Sequence, residues 1–183
     1  MRAAVVPSVP HHRRTNLMNP LTEKQIRASF VNASKREAAQ ATLPDLAATD
    51  WERLDYLGWH DRKAPLAAYV VLEIDGVPVG VRLRAADAKS GRGRHGLCAW
   101  CEDVIDDAEV SLYVARRGGA SGKNGNSIGT LVCTDFGCSR NVRRAPAPFE
   151  VVDPAEREEF VRRRTAALRE RSARFVAEVR STR

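Results

Sequence analysis

The sequence contains few aromatic residues and no long run of apolar residues. Only 6% of its 183 residues are Phe, Trp or Tyr, so the core must rely on Val, Leu, Ile and Ala. No apolar segment approaches the roughly 18 residues that a membrane-spanning helix requires, and we expect no membrane partner. This length fits one domain or at most two. A core this modest would gain stability from a cross-link or a metal ion.

Residues suited to catalysis are also scarce. The four histidines are His11, His12, His60 and His95, and none belongs to a Ser-His-Asp order with a nucleophile elbow. No paired acid and base are visible either. We therefore predict that the protein is not an enzyme.

The N-terminal segment lacks the apolar stretch of a secretory signal peptide. Pro7 and Pro10 precede a His-His-Arg-Arg run, and we interpret residues 1–17 as a flexible tail. Met18 is a candidate start of translation, because the first helix signals follow it directly. Without an export signal, we expect a cytoplasmic protein.

Positive charge exceeds negative charge. The chain has 30 Lys and Arg against 23 Asp and Glu, a formal net charge of +7. Lys occurs only at positions 24, 35, 63, 89 and 123, so most of the cations are arginines. By charge alone, partners that suit this balance are nucleic acid, an anionic membrane or an acidic protein surface; the alternative is a solvated basic surface that binds nothing.

Helix signals dominate the beginning of the chain. The tetrapeptides TEKQ (22–25), SKRE (34–37) and TDWE (49–52) have the capping-box pattern that begins a helix. The third one predicts a helix through Leu54 and Leu57 that ends at Gly58. We interpret residues 18–62 as a helical region.

The pattern then changes to that of strands. Residues 67–74 and 77–84 flank Asp75-Gly76, which predicts a hairpin, and Pro78 predicts an edge strand. A second pair is predicted over 110–116 and 127–133, joined by a glycine-rich connection that we expect to be mobile. A helix is predicted from about 135 to 144.

The last segment predicts a long helix. Asp153 is a candidate N-cap and Pro154 is at the first helical position. One apolar seam follows at helical spacing, which predicts that the helix packs on the body of the same protein: Val161, Thr165, Leu168, Ser172, Phe175 and Val179. The predicted fold class is α+β, with residues 63–150 as a central domain and 151–183 as a C-terminal helix.

All four cysteines fall in two pairs. Cys98 and Cys101 form a CxxC pair, and Cys133 and Cys138 form a second pair 31 residues later. Four thiolates at such spacing are typical of one tetrahedral, structural zinc ion. The order of CxxC knuckle, hairpin and helix start is that of a treble-clef finger.

Other uses of these cysteines remain open at this stage. Two disulfides would need an oxidising compartment, and no signal supports export. A redox CxxC would leave the second pair unexplained. A rubredoxin-type iron site prefers two similar short knuckles, and the second pair is longer.

Basic residues flank both cysteine pairs. We interpret them as candidate partner-binding residues that contact phosphates or carboxylates: Arg92, Arg94, His95, Arg140, Arg143 and Arg144. The last three share one helical face. The alternative is a surface that balances the negative zinc centre. The acids after the first pair are interpreted as a solvated acidic face: Glu102, Asp103, Asp106, Asp107 and Glu109.

The segments LCAWC (97–101) and SIGTLVCTDFGCSRNVR (127–143) resemble the treble-clef finger of the elongation-factor-G-binding, FusB-type fusidic-acid-resistance family. The segments PLTEKQIRASFVN (20–32) and LDYLGW (54–59) are similar to its actinobacterial members. The resemblance spans about residues 18–145. It implies one zinc ion held by the four cysteines and no chemistry on a drug.

The resemblance also implies binding of elongation factor G at or near the ribosome through the finger domain, and help in releasing the factor from drug-stalled ribosomes. The short helical part and the added Arg-rich helix after Pro154 depart from the family pattern. The alternative is a zinc module that binds rRNA or another RNA directly.

Overall fold

The computed structural model describes residues 18–85, 94–103, 109–151 and 153–181. The predicted tail, residues 1–17, lies outside the described residues. The chain then begins with two short helices, α1 (Glu23–Ser29) and α2 (Lys35–Gln40). Thr22 caps α1 and Ser34 caps α2, and both capping boxes are complete, as the sequence predicts.

The third capping tetrapeptide does not begin an α-helix, and that prediction is wrong. Only a single 3₁₀ turn forms, Trp51–Arg53, and the side chain of Asp50 gives it no cap. The chain then extends into strand β1 (Leu57–His60), with Leu57 and Trp59 buried. A strand is favoured over a helix at these positions because pairing of β1 with the next strand buries two large apolar side chains at alternate positions.

The sheet contains six antiparallel strands among the described residues. After β1 come β2 (Ala67–Ile74), β3 (Val77–Ala85), β4 (Arg94–His95), β5 (Glu109–Arg116) and β6 (Ser127–Cys133). Strands β1, β2 and β3 are consecutive neighbours, and β5 pairs with β3, β4 and β6.

Both predicted hairpins are confirmed. Strands β2 and β3 turn at Asp75-Gly76, where both residues have positive φ. Strand β3 pairs with β5 only at Arg84 and Ala85, so Pro78 has a strand partner on one side, as an edge position requires.

The glycine-rich connection between β5 and β6 contains a helical turn, contrary to the expected mobile loop. Residues Gly119–Lys123 form α3, and the Gly118 N–H donates to Val179 O at 2.7 Å. Gly122 is necessary at its position, because a Cβ atom there would lie 1.8 Å from Arg117 O.

Two helices complete the fold. The predicted helix after Cys133 is confirmed but short, α4 (Cys138–Val142). A 3₁₀ turn, Pro154–Glu156, is capped by Asp153 and leads into the long helix α5 (Arg157–Arg180).

Helix α5 packs on the body of the same chain, as its apolar seam predicts. Its buried residues are Leu168, Ser172, Phe175, Val176 and Val179, while Val161 and Thr165 are partly buried. The fold class is therefore α+β. In the described part of the chain, no helix combines the length and the apolar character needed to cross a membrane.

Candidate metal centre

The four cysteines meet at one buried point. Cys98 and Cys101 come from the turn after β4, Cys133 ends β6, and Cys138 is the first residue of α4. Their sulfur atoms all lie within 4.8 Å of one another, and none forms a disulfide. The fold therefore brings two segments of the chain together at these side chains, and a hydrogen bond from the Ala99 N–H to Leu131 O at 2.8 Å also joins them.

The spacing of the sulfur atoms fits one tetrahedral zinc ion. The Cys98 and Cys138 Sγ atoms are 3.6 Å apart, as are those of Cys101 and Cys133. Zn–S bonds of about 2.3 Å at tetrahedral angles place the sulfurs about 3.8 Å apart. Disulfide sulfurs would lie only about 2.05 Å apart. Four protein ligands leave no open coordination position, so the chemistry of this donor set is structural.

Polar groups around the sulfurs favour thiolates. The N–H groups of Trp100 and Cys101 point at the Cys98 sulfur, at 3.4 and 3.5 Å. The Asn141 side chain donates to the Cys133 sulfur at 3.4 Å. Within the cluster, hydrogen bonding with Cys101 lowers the pKa of Cys98 and raises the pKa of Cys133 and Cys138. Metal ligands must be deprotonated, so the donors from Trp100, Cys101 and Asn141, which stabilise negative sulfur, suit metal binding.

Aromatic side chains shield the centre from water. Trp100 lies within the first knuckle and is 1% exposed. It makes an edge contact with Tyr56 and also packs on Phe175 of α5. Burial raises the pKa of Tyr56, whose hydroxyl donates to Phe136 O at 3.1 Å. The finger is thus enclosed between the N-terminal segment and the C-terminal helix.

Of the predicted partner-binding arginines after the second pair, Arg140 lies in α4, whereas Arg143 and Arg144 directly follow it and are occupied within the chain. Arg143 contacts Asp55, and Arg144 contacts Asp103 and Glu150. These ion pairs hold the finger to other segments, so the two guanidinium groups are not free on that face, and a role in partner binding stays a prediction.

Arg140 differs from these two because its side chain is 75% exposed. It pairs with Asp135 at 2.7 Å. Burial opposes ionisation of Asp135, but hydrogen bonds from Arg140 and the Gly137 N–H hold the pKa of this carboxyl below its ordinary value. Of the other candidates, Arg92 lies outside the described residues, as do the side chains of Arg94 and His95, which form β4.

The acidic residues after the first pair are not simply a solvated face. The Asp103 carboxylate is 1% exposed and lies 2.8 Å from Arg144. Glu102 pairs with Arg171, whose guanidinium also donates to Trp100 O at 3.1 Å. Asp106 and Asp107 lie outside the described residues. Helix α5 thus reaches the metal knuckle through ion pairs that sequence reasoning missed, since their partners are distant in the chain.

A groove runs beside α4, between the finger and the segment that precedes β1. Its volume is about 930 Å³. Apolar side chains and exposed arginines both line it, among them Leu54, Leu57, Phe136, Arg53 and Arg140.

A cysteine knuckle, a two-stranded hairpin and a helix that supplies the last thiol define a treble-clef zinc finger. Residues 25–179 match the model of the FBP C-terminal treble-clef zinc-finger family, so the chain belongs to that family. The match confirms the resemblance drawn from the cysteine segments. Its cofactor is one zinc ion, and the four clustered cysteines are suited to hold it.

Comparison with solved structures finds similarity to a chain described as the fusidic acid resistance protein FusC. The two are 23% identical, with a TM-score of 0.44. The similar region covers 58% of this chain and 46% of that chain, less than half of its length. No curated protein matches this chain.

Proposed function

We propose that this protein is a non-enzymatic, cytoplasmic accessory factor of translation that binds elongation factor G at or near the ribosome. The observation that carries the proposal is membership of the treble-clef family over residues 25–179. The finger then acts as a rigid binding surface, because a closed four-cysteine shell offers no position for a substrate. Release of the factor from stalled ribosomes is the activity that would follow from such binding.

The groove beside α4 is the surface that we assign to the factor. Its apolar lining can bury part of a partner, while the exposed guanidinium groups of Arg53 and Arg140 can pair with carboxylates at the rim. Among the described residues, their ion-pair partners are the exposed carboxylates of Asp50 and Asp135. Such surface pairs are weak, so a partner can replace them at little cost.

Direct binding of RNA by this finger surface is less well supported. Arg143 and Arg144 are held by buried carboxylates, so they are not available to phosphates. An RNA site on this face would need to rely on Arg140 and on residues outside the described part of the chain.

Calorimetric titration of the zinc-loaded chain with purified elongation factor G tests the proposal. We expect a one-to-one complex, and we expect the double variant Arg53→Gln/Arg140→Gln to bind at least tenfold more weakly. The matched control is Arg157→Gln/Arg163→Gln, which removes the same charge from exposed positions of α5. Absence of heat and of co-elution with the factor would overturn the proposal. If both double variants weakened binding equally, the groove would not be the surface that binds the factor.

A further inference from the structure

A second concave site lies where strands β3, β5 and β6 meet. This small cavity has a volume of about 190 Å³. Its lining combines three arginines with two neutral polar residues: Arg82, Arg84, Arg116, Asn32 and Ser127. Neither the zinc site nor the groove beside α4 includes any of these residues.

The strand register places the three arginines on one face of the sheet. Arg82 and Arg84 alternate along β3, so both side chains leave the sheet on the same side. Arg84 is opposite Val114 of β5, and Arg116 is two residues further along that strand. Ser127 is directly opposite Arg116 and belongs to the same face.

Asn32 fixes the backbone of this cavity. Its Nδ2 donates to Arg82 O at 2.9 Å and to Arg116 O at 2.8 Å, and its Oδ1 accepts from the Arg82 N–H at 2.8 Å. The side chain therefore bridges β3 and β5 beyond their two paired positions. The paired strands therefore fix the positions from which the three arginine side chains leave the sheet.

The cavity is positively charged and incompletely neutralised. Arg82 pairs with Glu37 at 2.8 Å. Arg84 and Arg116, by contrast, make no hydrogen bond or close ion pair through their guanidinium groups within the part of the chain that the structure describes. Glu37 is near enough to Arg116 that, after the hydrogen bonds from Ser34, the charges of Arg82 and Arg116 both help to lower its pKa. Elsewhere the arginines Arg143, Arg144 and Arg169 are matched with buried carboxylates. Among the described residues, three arginines thus face a single carboxylate, that of Glu37, and the remaining positive charge in this concavity favours an external anion.

We propose that this cavity binds a backbone phosphate of RNA, held by Arg84 and Arg116 with Arg82 and the Ser127 hydroxyl as further donors. A phosphate can accept several hydrogen bonds from separate guanidinium forks. The choice of RNA as the source of the phosphate depends on the proposed place of the protein at the ribosome. The net charge of +7 favours association with a polyanion whether or not the protein acts at the ribosome.

The cavity is separate from the finger surface. Arg116 lies six residues along β5 from Val110, whose partner in β6 is Cys133. At about 3.4 Å per residue, this places the arginine roughly 20 Å along the strand from the metal centre. The chain could therefore contact RNA and a protein partner at the same time.

Fluorescence anisotropy with a labelled, mixed-sequence single-stranded RNA tests the proposal on the zinc-loaded full chain. We expect Arg84→Gln/Arg116→Gln to weaken binding at least tenfold. The slope of log K against log salt should fall by about 0.7, since the variant loses its contact with one phosphate and each phosphate contact on a single strand contributes about 0.7. Arg157→Gln/Arg163→Gln, with the same loss of charge, should change the affinity less than threefold.

Competition distinguishes the sources of the anion. Inorganic phosphate at millimolar concentration should displace little RNA, and a polyglutamate peptide of equal charge should compete poorly. The proposal is overturned if the native chain binds no RNA at low salt, if both variant pairs weaken binding equally, or if either competitor matches RNA. Binding of elongation factor G by Arg84→Gln/Arg116→Gln should remain unchanged. A negative result in the RNA experiments would therefore not contradict the proposed function.

Discussion

Arg169 of α5 donates through Nε to Oδ1 of Asp55 at 2.7 Å, although 114 residues separate them. The same carboxylate accepts from Arg143, which directly follows α4, and the Asp55 side chain is 0% exposed. Asp55 therefore joins three parts of the fold: the segment before β1, the finger helix and the C-terminal helix. Its two partners neutralise a carboxylate that burial would otherwise destabilise.

Replacing Asp55 with Asn should destabilise the protein by about 3 kcal/mol, because it leaves two partly buried guanidinium groups without their anion. Urea denaturation of the zinc-loaded chain measures the effect. Asp50→Asn is the matched control, since the Asp50 side chain is 63% exposed and its pair with Arg53 is worth less than about 1 kcal/mol. Equal stabilities of the two variants would contradict the joining role of Asp55.

Zinc should be present at one ion per chain, and its removal by a chelator should lower the melting temperature, because metal binding and folding are linked. Cys133→Ser should reduce the zinc content below one per chain and loosen the β5–β6 hairpin. Leu131→Ser serves as the control, since it lies two residues away on the same strand and is 45% exposed. Full metal content in the Cys133 variant, measured by elemental analysis, would exclude this residue as a ligand.

The cysteine spacing and the first two capping boxes were sufficient to predict the finger and helices α1 and α2, because these signals are local. The TDWE tetrapeptide is an equally clear local signal, but burial of Leu57 and Trp59 against β2 outweighs it. Local propensity is a weak prior where a strand can bury large side chains on a sheet.

The long-range ion pairs could not be predicted from the sequence. Helical spacing relates Arg143 and Arg144 to Arg140, but the carboxylates that pair with them come from positions 55 and 103. Nothing in the local sequence marks Asp55 as buried. The alternation of Arg82 and Arg84 was visible in the strand pattern, whereas Arg116 joins them only through the register of β3 and β5.

Gly122→Ala should destabilise the protein by about 2–3 kcal/mol, because the added methyl group would overlap the backbone oxygen of Arg117, which cannot move independently of β5. Thermal or urea unfolding provides the measurement. In Gly129→Ala the nearest atom is the flexible Leu112 Cδ1 at 3.3 Å, and this control should lose less than about 1 kcal/mol. If Gly122→Ala were as stable as the control, the helical turn α3 would not be packed as described.

The unfolding free energy should fall in acid partly because of Asp61. Its buried carboxylate accepts the N–H groups of Thr42 and Lys63 at 2.9 and 2.8 Å. Burial favours the protonated form, but these hydrogen bonds prevail and lower the pKa of Asp61. A carboxyl whose pKa is lower in the folded state contributes stability above its unfolded value of about 3.9, and this contribution is lost as the pH falls through the folded pKa.

Urea titrations between about pH 6 and pH 3 should therefore show a steeper loss of stability for the native chain than for Asp61→Asn, which cannot titrate at this position. Protonation of the zinc ligands also destabilises the finger in acid, and it affects both proteins equally. Zinc content measured at each pH shows where loss of the metal destabilises both proteins. The remaining difference between the two stability curves is the contribution of the Asp61 carboxylate. Parallel curves over the whole range would show that the hydrogen bonds from Thr42 and Lys63 do not stabilise the ionised carboxylate.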